Sequence, residues 1–396
     1  MRLGIYGGTF DPPHLGHLTA LKTAAEQLEL DRILIVPTFI PPHKDRAAGM
    51  ASSEDRLRMA ELCFEDVNGA VIWDGEIRRG GKSYTIDTVT EIKSEYPEDE
   101  LVLLMGTDMY LTFEAWRDFE RLLELVTCGV FIRNRGEEDE VVRHESALRE
   151  KYGARTEIVR NEPVEISSTE LRELLPERGG REFLTDAVYG YIVERGLFGV
   201  KADFDWLRCK SYEMLAERRI RHVAGCEAEA VKLAKRWGCD VDLAREAAIL
   251  HDITKKLDLT EQLNLCNEYG IIIDEIERKE LKLLHSKTGA YIARDRFNVC
   301  DEVFGAIFWH TTGKEDMSLL EKVMYLADYI EPTRDFEGVE TLRALCYRDI
   351  DATLCLGLEM SIADMEEWGV KPHERTAKAL EWLRKGDHYD YTERNG

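Results

Sequence analysis

The spacing of apolar residues changes once along this chain, near residue 200, and that change limits the fold more than any other feature. Before it, short apolar runs bounded by Gly, Pro and Asp alternate with stretches of helical spacing. Residues 3–6, 33–36, 71–73, 101–105 and 126–132 read as strands, and 18–28, 53–64 and 86–94 as helices. Such alternation predicts parallel βαβ units in a doubly wound, Rossmann-like α/β sheet, whose ligands bind beyond the carboxyl ends of the strands. After Gly196-Leu-Phe-Gly199 the strand pattern stops. Amphipathic stretches at 203–237, 241–257, 274–296, 300–309, 317–330 and 339–366 predict an all-α helical bundle. The expected domains are therefore 1–199 and 203–385, followed by a polar tail at 386–396.

Charge narrows the partners. The 396 residues carry 53 Lys and Arg against 77 Asp and Glu, a net charge of −24, and both halves are negative. Long-range repulsion opposes nucleic acid and anionic membranes as partners. A small phosphorylated ligand is compatible with this charge, because local amides, a few cations or metal ions outweigh the global field. No apolar run approaches the roughly 20 residues needed to span a bilayer. The N-terminus lacks the layout of a signal peptide, so a cytoplasmic location is expected. The nine cysteines form no CxxC pair and read as reduced thiols rather than a disulfide framework or zinc ribbon. Self-association is left open.

The first strand runs into Gly7-Gly8-Thr9-Phe10-Asp11-Pro12-Pro13-His14-Leu15-Gly16-His17. Paired glycines at a strand end let backbone amides approach an anion, and the helix start that follows favours negative charge. Two imidazoles three residues apart share one face of that first turn and would both point at a phosphate. Ser167, with Glu170 three residues on, makes a capping box and so punctuates a helix. Asp108, just beyond an apolar strand, suits ribose hydroxyls or a helix N-cap. Trp116 suits a stacked ring or the core.

The eleven-residue string resembles the HxGH motif of the nucleotidyltransferase superfamily. Further landmarks are Pro41-Pro42-His43-Lys44, Ser53-Glu-Asp-Arg56, Ser83-Tyr84-Thr85-Ile86-Asp87-Thr88, Gly106-Thr107-Asp108, Trp116 and Ile166-Ser167-Ser168-Thr169-Glu170-Leu171-Arg172. With them the half resembles bacterial nicotinate-mononucleotide adenylyltransferases over about 1–199. One departure is Gly-Thr-Asp where Gly-Ala-Asp is usual. The resemblance implies adenylyl transfer from ATP, with Mg²⁺, to nicotinate mononucleotide. It implies that His14, His17, Lys44 and Arg172 are catalytic, and that Gly7, Gly8, Thr9, Phe10, Gly106, Asp108, Arg133, Ser167, Ser168 and Thr169 contact substrate. Thr85 would meet the nicotinate carboxylate and Trp116 its ring. Nicotinamide mononucleotide or phosphopantetheine are the alternative acceptors.

In the second half His222, His251-Asp252, His285, His310 and Asp328 have suggestive settings. Asp328 lies among Leu326, Ala327 and Tyr329, where a carboxylate is costly to bury unless paired or metal-bound. The ordered set His222, His251-Asp252, Asp328 is similar to the HD superfamily of metal-dependent phosphohydrolases. Arg221-His222, His251-Asp252-Ile-Thr-Lys255, His285-Ser286-Lys287-Thr-Gly289, His310-Thr-Thr-Gly313 and Ala327-Asp328-Tyr329-Ile330-Glu331-Pro332-Thr333-Arg334 extend the likeness to its symmetrical diadenosine tetraphosphate hydrolases. This implies one metal on His222, His251, Asp252 and Asp328, and a second on His285 and His310 with Asp252 bridging. Imidazole and carboxylate ligands suit Fe, Mn, Co or Zn better than Mg. The resemblance makes Lys255 catalytic and brings Thr312 and Arg334 to the substrate, a dinucleoside polyphosphate. The alternative is a nucleotide-binding regulatory module without turnover.

Overall fold

The computed structural model of the chain describes residues 1–40, 49–132, 136–162, 164–367 and 369–385. Two compact units result, Met1–Lys201 and Ala202–Gly396. No described helix is long and apolar enough to cross a membrane.

In the first unit six strands form one sheet: β1 (Arg2–Gly8), β2 (Arg32–Pro37), β3 (Ala70–Ile72), β4 (Glu100–Gly106), β5 (Val126–Phe131) and β6 (Thr156–Val159). Their order is β3-β2-β1-β4-β5-β6 and every pairing is parallel. Strand order reverses between β1 and β4, which pair with Tyr6 opposite Leu104. Gly8 and Gly106 end the two strands at that switch point, where such sheets take ligands. One face of the sheet, with Leu3, Ile5, Leu34, Val36, Leu103 and Val130, is continuous with Ile86, Val89, Ile92 and Leu122 of covering helices. The other face takes the helices Leu15–Gln27 and Ser53–Phe64, whose Leu21, Ala24 and Met59 are fully buried. Gly129 permits the close approach there: a Cβ would come within 2.7 Å of Leu104 Cδ2 and 3.0 Å of Leu28 Cδ1. Burial on both faces explains why most strands read as unbroken apolar runs. β6 was not foreseen, being short and only partly buried.

The second unit is helical: Phe204–Met214, Glu217–Trp237, Val241–Leu250, Leu259–Glu268, Leu281–Phe297, Asp301–Trp309, Leu319–Ile330, Val339–Cys346, Ile350–Glu367 and Glu374–Lys385. Several expected stretches are divided. The stretch 203–237 breaks at Leu215 and Ala216, where the backbone is extended. At 274–280 the Asp274 side chain accepts from the amides of Ile276 and Glu277, closing a turn where helix was expected. Two helices were missed. Leu259–Glu268 is opened by an Asp258–Glu261 capping box, and Glu374–Lys385 by His373, whose Nδ1 accepts from Arg375 N at 3.2 Å.

Beside the missed turn lies a buried ion pair. Lys287 and Glu277 are 3% and 1% exposed, and Lys287 Nζ donates to Glu277 Oε2 at 2.8 Å and Ile272 O at 3.0 Å. Replacing Lys287 by Met strands a carboxylate in the interior. The expected loss is about 3–5 kcal/mol in the second unit's urea unfolding, largely restored by adding Glu277→Leu. A loss below about 1 kcal/mol would show that the pair is unimportant to the fold.

Candidate active sites

Past β1 the chain turns through Phe10, whose φ of 51° carries its buried ring beneath the next helix. A Cβ on Gly7 would meet nothing within 4 Å, so the space beside that strand end is open to a ligand. At Gly16 a Cβ would lie 2.9 Å from His14 Nδ1, so this position needs glycine for the turn itself. His14 caps the helix Leu15–Gln27: its Nδ1 accepts from Gly16 N at 3.1 Å, while His17 Nδ1 accepts from His14 N at 3.2 Å. The ring centroids stand 3.8 Å apart. A neutral imidazole that accepts at Nδ1 carries its hydrogen on Nε2, so both rings are set as N–H donors. Tyr6 and Phe10 flank His17, with centroids 6.4 and 5.4 Å away.

Two segments brace this turn. Ser168 Oγ donates to Pro12 O at 2.8 Å, and Arg172 Nη1 to Asp11 O at 2.6 Å, with Nη2 on Thr169 Oγ1 at 3.1 Å. Arg56, 2% exposed, donates to the carbonyls of Thr9, Thr38 and Phe39 at 2.9, 2.5 and 3.0 Å. It thereby ties the ends of β1 and β2 together. The hydroxyl of Ser167, by contrast, is taken by Glu170 in the capping box. Gly106, not Asp108, caps the short helix Thr107–Leu111, leaving Asp108 exposed in its first turn. Thr85 opens the helix Thr85–Glu95, and Trp116 packs half-buried on the sheet core. Arg117 lies over the Tyr84 ring at 4.7 Å and joins those two segments. Lys44 and Arg133 lie outside the described residues.

In the second unit five helices bring the singled-out side chains to one centre. His251 and His310 follow the last residues of the helices Val241–Leu250 and Asp301–Trp309. Each turns its Nδ1 back on a carbonyl three residues earlier, Ala248 O at 2.7 Å and Ile307 O at 2.6 Å. A neutral ring donating there leaves a lone pair on Nε2. His222, on Glu217–Trp237, has Nδ1 on Glu331 Oε1 at 3.0 Å and Nε2 on Asp328 Oδ1 at 3.0 Å. Asp252, 1% exposed, has Oδ2 at 3.4 Å from His251 Nε2 and Oδ1 at 3.2 Å from His285 Nε2. His285 Nε2 in turn lies 3.1 Å from His310 Nε2. Behind the centre, Thr254 Oγ1 donates to His285 O at 2.9 Å and Gln262 Nε2 to Thr254 O at 2.7 Å, which locks the His251-Asp252 turn to the His285 helix.

The electrostatics of this centre favour a cation. Burial alone would raise the Asp252 carboxyl, but His251 and His285 outweigh it and hold it well below the usual range. Asp328 is held down likewise, by His222 and Arg334. Burial, then neighbouring His285 and His251, push His310 well below an ordinary imidazole, toward its neutral, ligating form. His251 Nε2 and Asp252 Oδ1 are buried and meet their neighbours as ion pairs at 3.4 and 3.2 Å without an aligned hydrogen bond, a geometry that a shared ligand would complete. Donor atoms of His222, Cys226, His251 and Asp328 lie within 4.8 Å of one another, as do those of His251, Asp252 and His310. These residues fit divalent metal. Asp252 lies between them, with Oδ2 facing His222 and His251 at 3.7 and 3.4 Å and Oδ1 facing His285 and His310 at 3.2 and 4.0 Å. A further group, Asp274, Glu277 and His373, is already met by the Lys287 ammonium, 2.7 Å from Glu277 Oε1.

Comparison with known proteins follows the same division. Residues 5–174 match the cytidylyltransferase-like family and 219–333 the HD domain. A Gemmatimonas aurantiaca protein named "Probable nicotinate-nucleotide adenylyltransferase" is 38% identical over 199 residues, 50% of this chain and 92% of its own length. The chain belongs to the nicotinate-nucleotide adenylyltransferase family. Behind that unit this family member carries an HD domain. A Mycoplasma genitalium protein named "Probable nicotinate-nucleotide adenylyltransferase/Ap4A hydrolase" is 29% identical over 334 residues, 84% of this chain and 88% of its own. A crystal structure described as a predicted HD superfamily hydrolase involved in NAD metabolism, from Clostridium acetobutylicum, is 33% identical, covering 46% of this chain and 97% of that one, with a TM-score of 0.45.

Within this adenylyltransferase, the six metal-ligand candidates of the HD domain converge, and Lys255 and Arg334 stand beside them. Lys255 Nζ is 2.9 Å from His285 Nε2, and Arg334 Nη2 is 2.5 Å from Asp328 Oδ1. Thr312 does not join them: it is buried with its hydroxyl on Gly313 O at 3.0 Å. Arg221, quoted beside His222, is exposed. Sequence reasoning gave no role to Arg219, Cys226 or Glu331. The spacing of Arg219 and Cys226, three before and four after His222, places both on its helix face. Glu331, fully buried, orients His222 through Nδ1. Glu331→Gln is expected to weaken Mn²⁺ binding to the metal-stripped full chain about ten-fold by calorimetry. Unchanged affinity would show that this carboxylate does not orient the ligand.

Proposed function

We propose that the chain is bifunctional: its first unit transfers adenylyl from ATP to nicotinate mononucleotide, and its HD domain hydrolyses diadenosine tetraphosphate to two ADP. In the first reaction an oxygen of the mononucleotide phosphate attacks the α-phosphorus. The bond to the β-phosphate bridging oxygen breaks, and nicotinate adenine dinucleotide and pyrophosphate leave, a step of NAD synthesis. The acceptor phosphate is itself the nucleophile, so the protein has to align two polyanions and stabilise charge. His14 and His17 donate from Nε2 to the transferred phosphoryl and the departing pyrophosphate. Arg172 and Ser168 hold the turn that aims them, and Lys44 adds a positive charge. Asp108 receives ribose hydroxyls, while Thr85 and Trp116 hold the nicotinate. Mg²⁺ accompanies ATP, held mainly by its phosphates. What supports this half is the pair of imidazoles fixed as donors at the switch point, with the family membership of residues 1–199.

For the second reaction His222, His251, Asp252, His285, His310 and Asp328 would hold one or two ions of Fe, Mn or Co. Such ions supply Lewis acidity and a water that ionises near neutral pH. Water oxygen adds to one inner phosphorus, the central anhydride bond breaks, and an ADP forms from each side with release of a proton. Lys255 and Arg334 stand where phosphate charge would come. The observation that carries this reading is the convergence of those Nε2 atoms on the buried Asp252 carboxylate.

The two sites are expected to fail separately. His17→Ala lowers pyrophosphate release from ATP and nicotinate mononucleotide by about 10²-fold or more and leaves ADP formation from diadenosine tetraphosphate intact. Asp252→Ala, or chelation, does the reverse. Undiminished diadenosine tetraphosphate hydrolysis in Asp252→Ala would refute the metal site, and undiminished pyrophosphate release in His17→Ala the imidazole cradle.

A further inference from the structure

The proposed hydrolysis leaves one cation beside the HD centre without a part. Arg219 sits on the first turn of Glu217–Trp237, and its Nε donates to Asp252 Oδ2. That oxygen also faces His222 Nε2 at 3.7 Å and His251 Nε2 at 3.4 Å, which places it at the heart of the ligand set. Arg334 repeats the pattern on Asp328 Oδ1 at 2.5 Å, and Lys255 on His285 Nε2 at 2.9 Å. Each of the three cations contacts an atom that ligates metal in the proposed reaction. A guanidinium and a metal ion compete for the same oxygen lone pairs, so the two cannot hold Asp252 Oδ2 equally well. The Arg219 side chain is one quarter exposed, so it has a path outward that the buried histidines lack.

We infer that Arg219 is a displaceable cation. In the metal-free chain it balances Asp252; with the metal site filled it turns outward and holds a substrate phosphate, as a third cation with Lys255 and Arg334. Three cations around a divalent centre suit a chain of several phosphates better than a single monoester. The inference rests on the hydrolase reading above. The competing role is that of a fixed positioning residue for Asp252, and it predicts the opposite sign on metal affinity.

The test uses the full-length chain stripped with chelator. Free Mn²⁺ is followed by electron paramagnetic resonance, and inorganic phosphate binding to the Mn²⁺-loaded protein by the change in water-proton relaxation. Arg219→Met is expected to bind Mn²⁺ about five-fold more tightly, because a competitor is gone. It is expected to bind phosphate about ten-fold more weakly, while Arg219→Lys retains most phosphate affinity. An unchanged unfolding midpoint and wild-type pyrophosphate release confirm that the variants are folded. Weaker or unchanged Mn²⁺ binding in Arg219→Met, or undiminished phosphate binding, overturns the inference. Wild-type protein that binds no Mn²⁺ overturns the hydrolase reading itself, and Arg219's role with it.

Discussion

A carboxylate with 1% exposure, ionised among imidazoles, is the constraint on which the second unit depends. Burying Asp252 without compensation would cost several kcal/mol, against a total stability of about 5–15 kcal/mol for a typical domain. Compensation comes from four separate helices, which is why their ends and faces are fixed so closely. Two helices stop at the centre, where His251 and His310 sit just past the last turn and each reuses a helical carbonyl to orient its ring. The partial negative charge of a helix C-terminus favours a cation at that point. Gly289 lets the His285 helix approach closely, since a Cβ there would lie 3.3 Å from His251 O. The polar contacts of Thr254, Thr288 and Gln262 then fix the two segments together.

The phosphate site proposed for the first unit is built by other means. At the switch point two imidazoles are oriented by backbone N–H groups, and Arg56 and Arg172 donate to backbone carbonyls of the surrounding turns. Such a site needs no buried ionic centre, and its strength depends on preorganisation. His14 and His17 show how local this is. Each ring is oriented by a backbone N–H no more than three residues away, and the one Cβ that would interfere is missing at Gly16.

Much of this was legible in the sequence, for physical reasons. Strands buried on both faces announce themselves as apolar runs, and β1, β2, β4 and β5 were all visible. β6 was not, because Thr156–Val159 is a partly exposed edge of four residues. The helix Glu374–Lys385 was missed because its N-cap is His373, a residue rarely weighed as one. The histidines that the structure brings together in each unit, with Asp252 and Asp328, stood out in the sequence because few side chains supply such chemistry. Their supports were harder to find. Arg219 was given no role, because a residue three positions before His222 shares its helix face without standing beside it in sequence. Glu331 acts through a fold contact with a residue 109 positions away, which local pattern does not encode. Thr312 carried a motif-based expectation, yet its hydroxyl serves its own turn.

Anomalous diffraction from crystals of the full chain grown with Mn²⁺ addresses the metal centre most directly. The account predicts anomalous density enclosed by Nε2 of His222, His251 and His310 and the carboxylates of Asp252 and Asp328. Density confined to Asp274, Glu277 and His373, or none among those five residues and His285, the six proposed ligands, would contradict it.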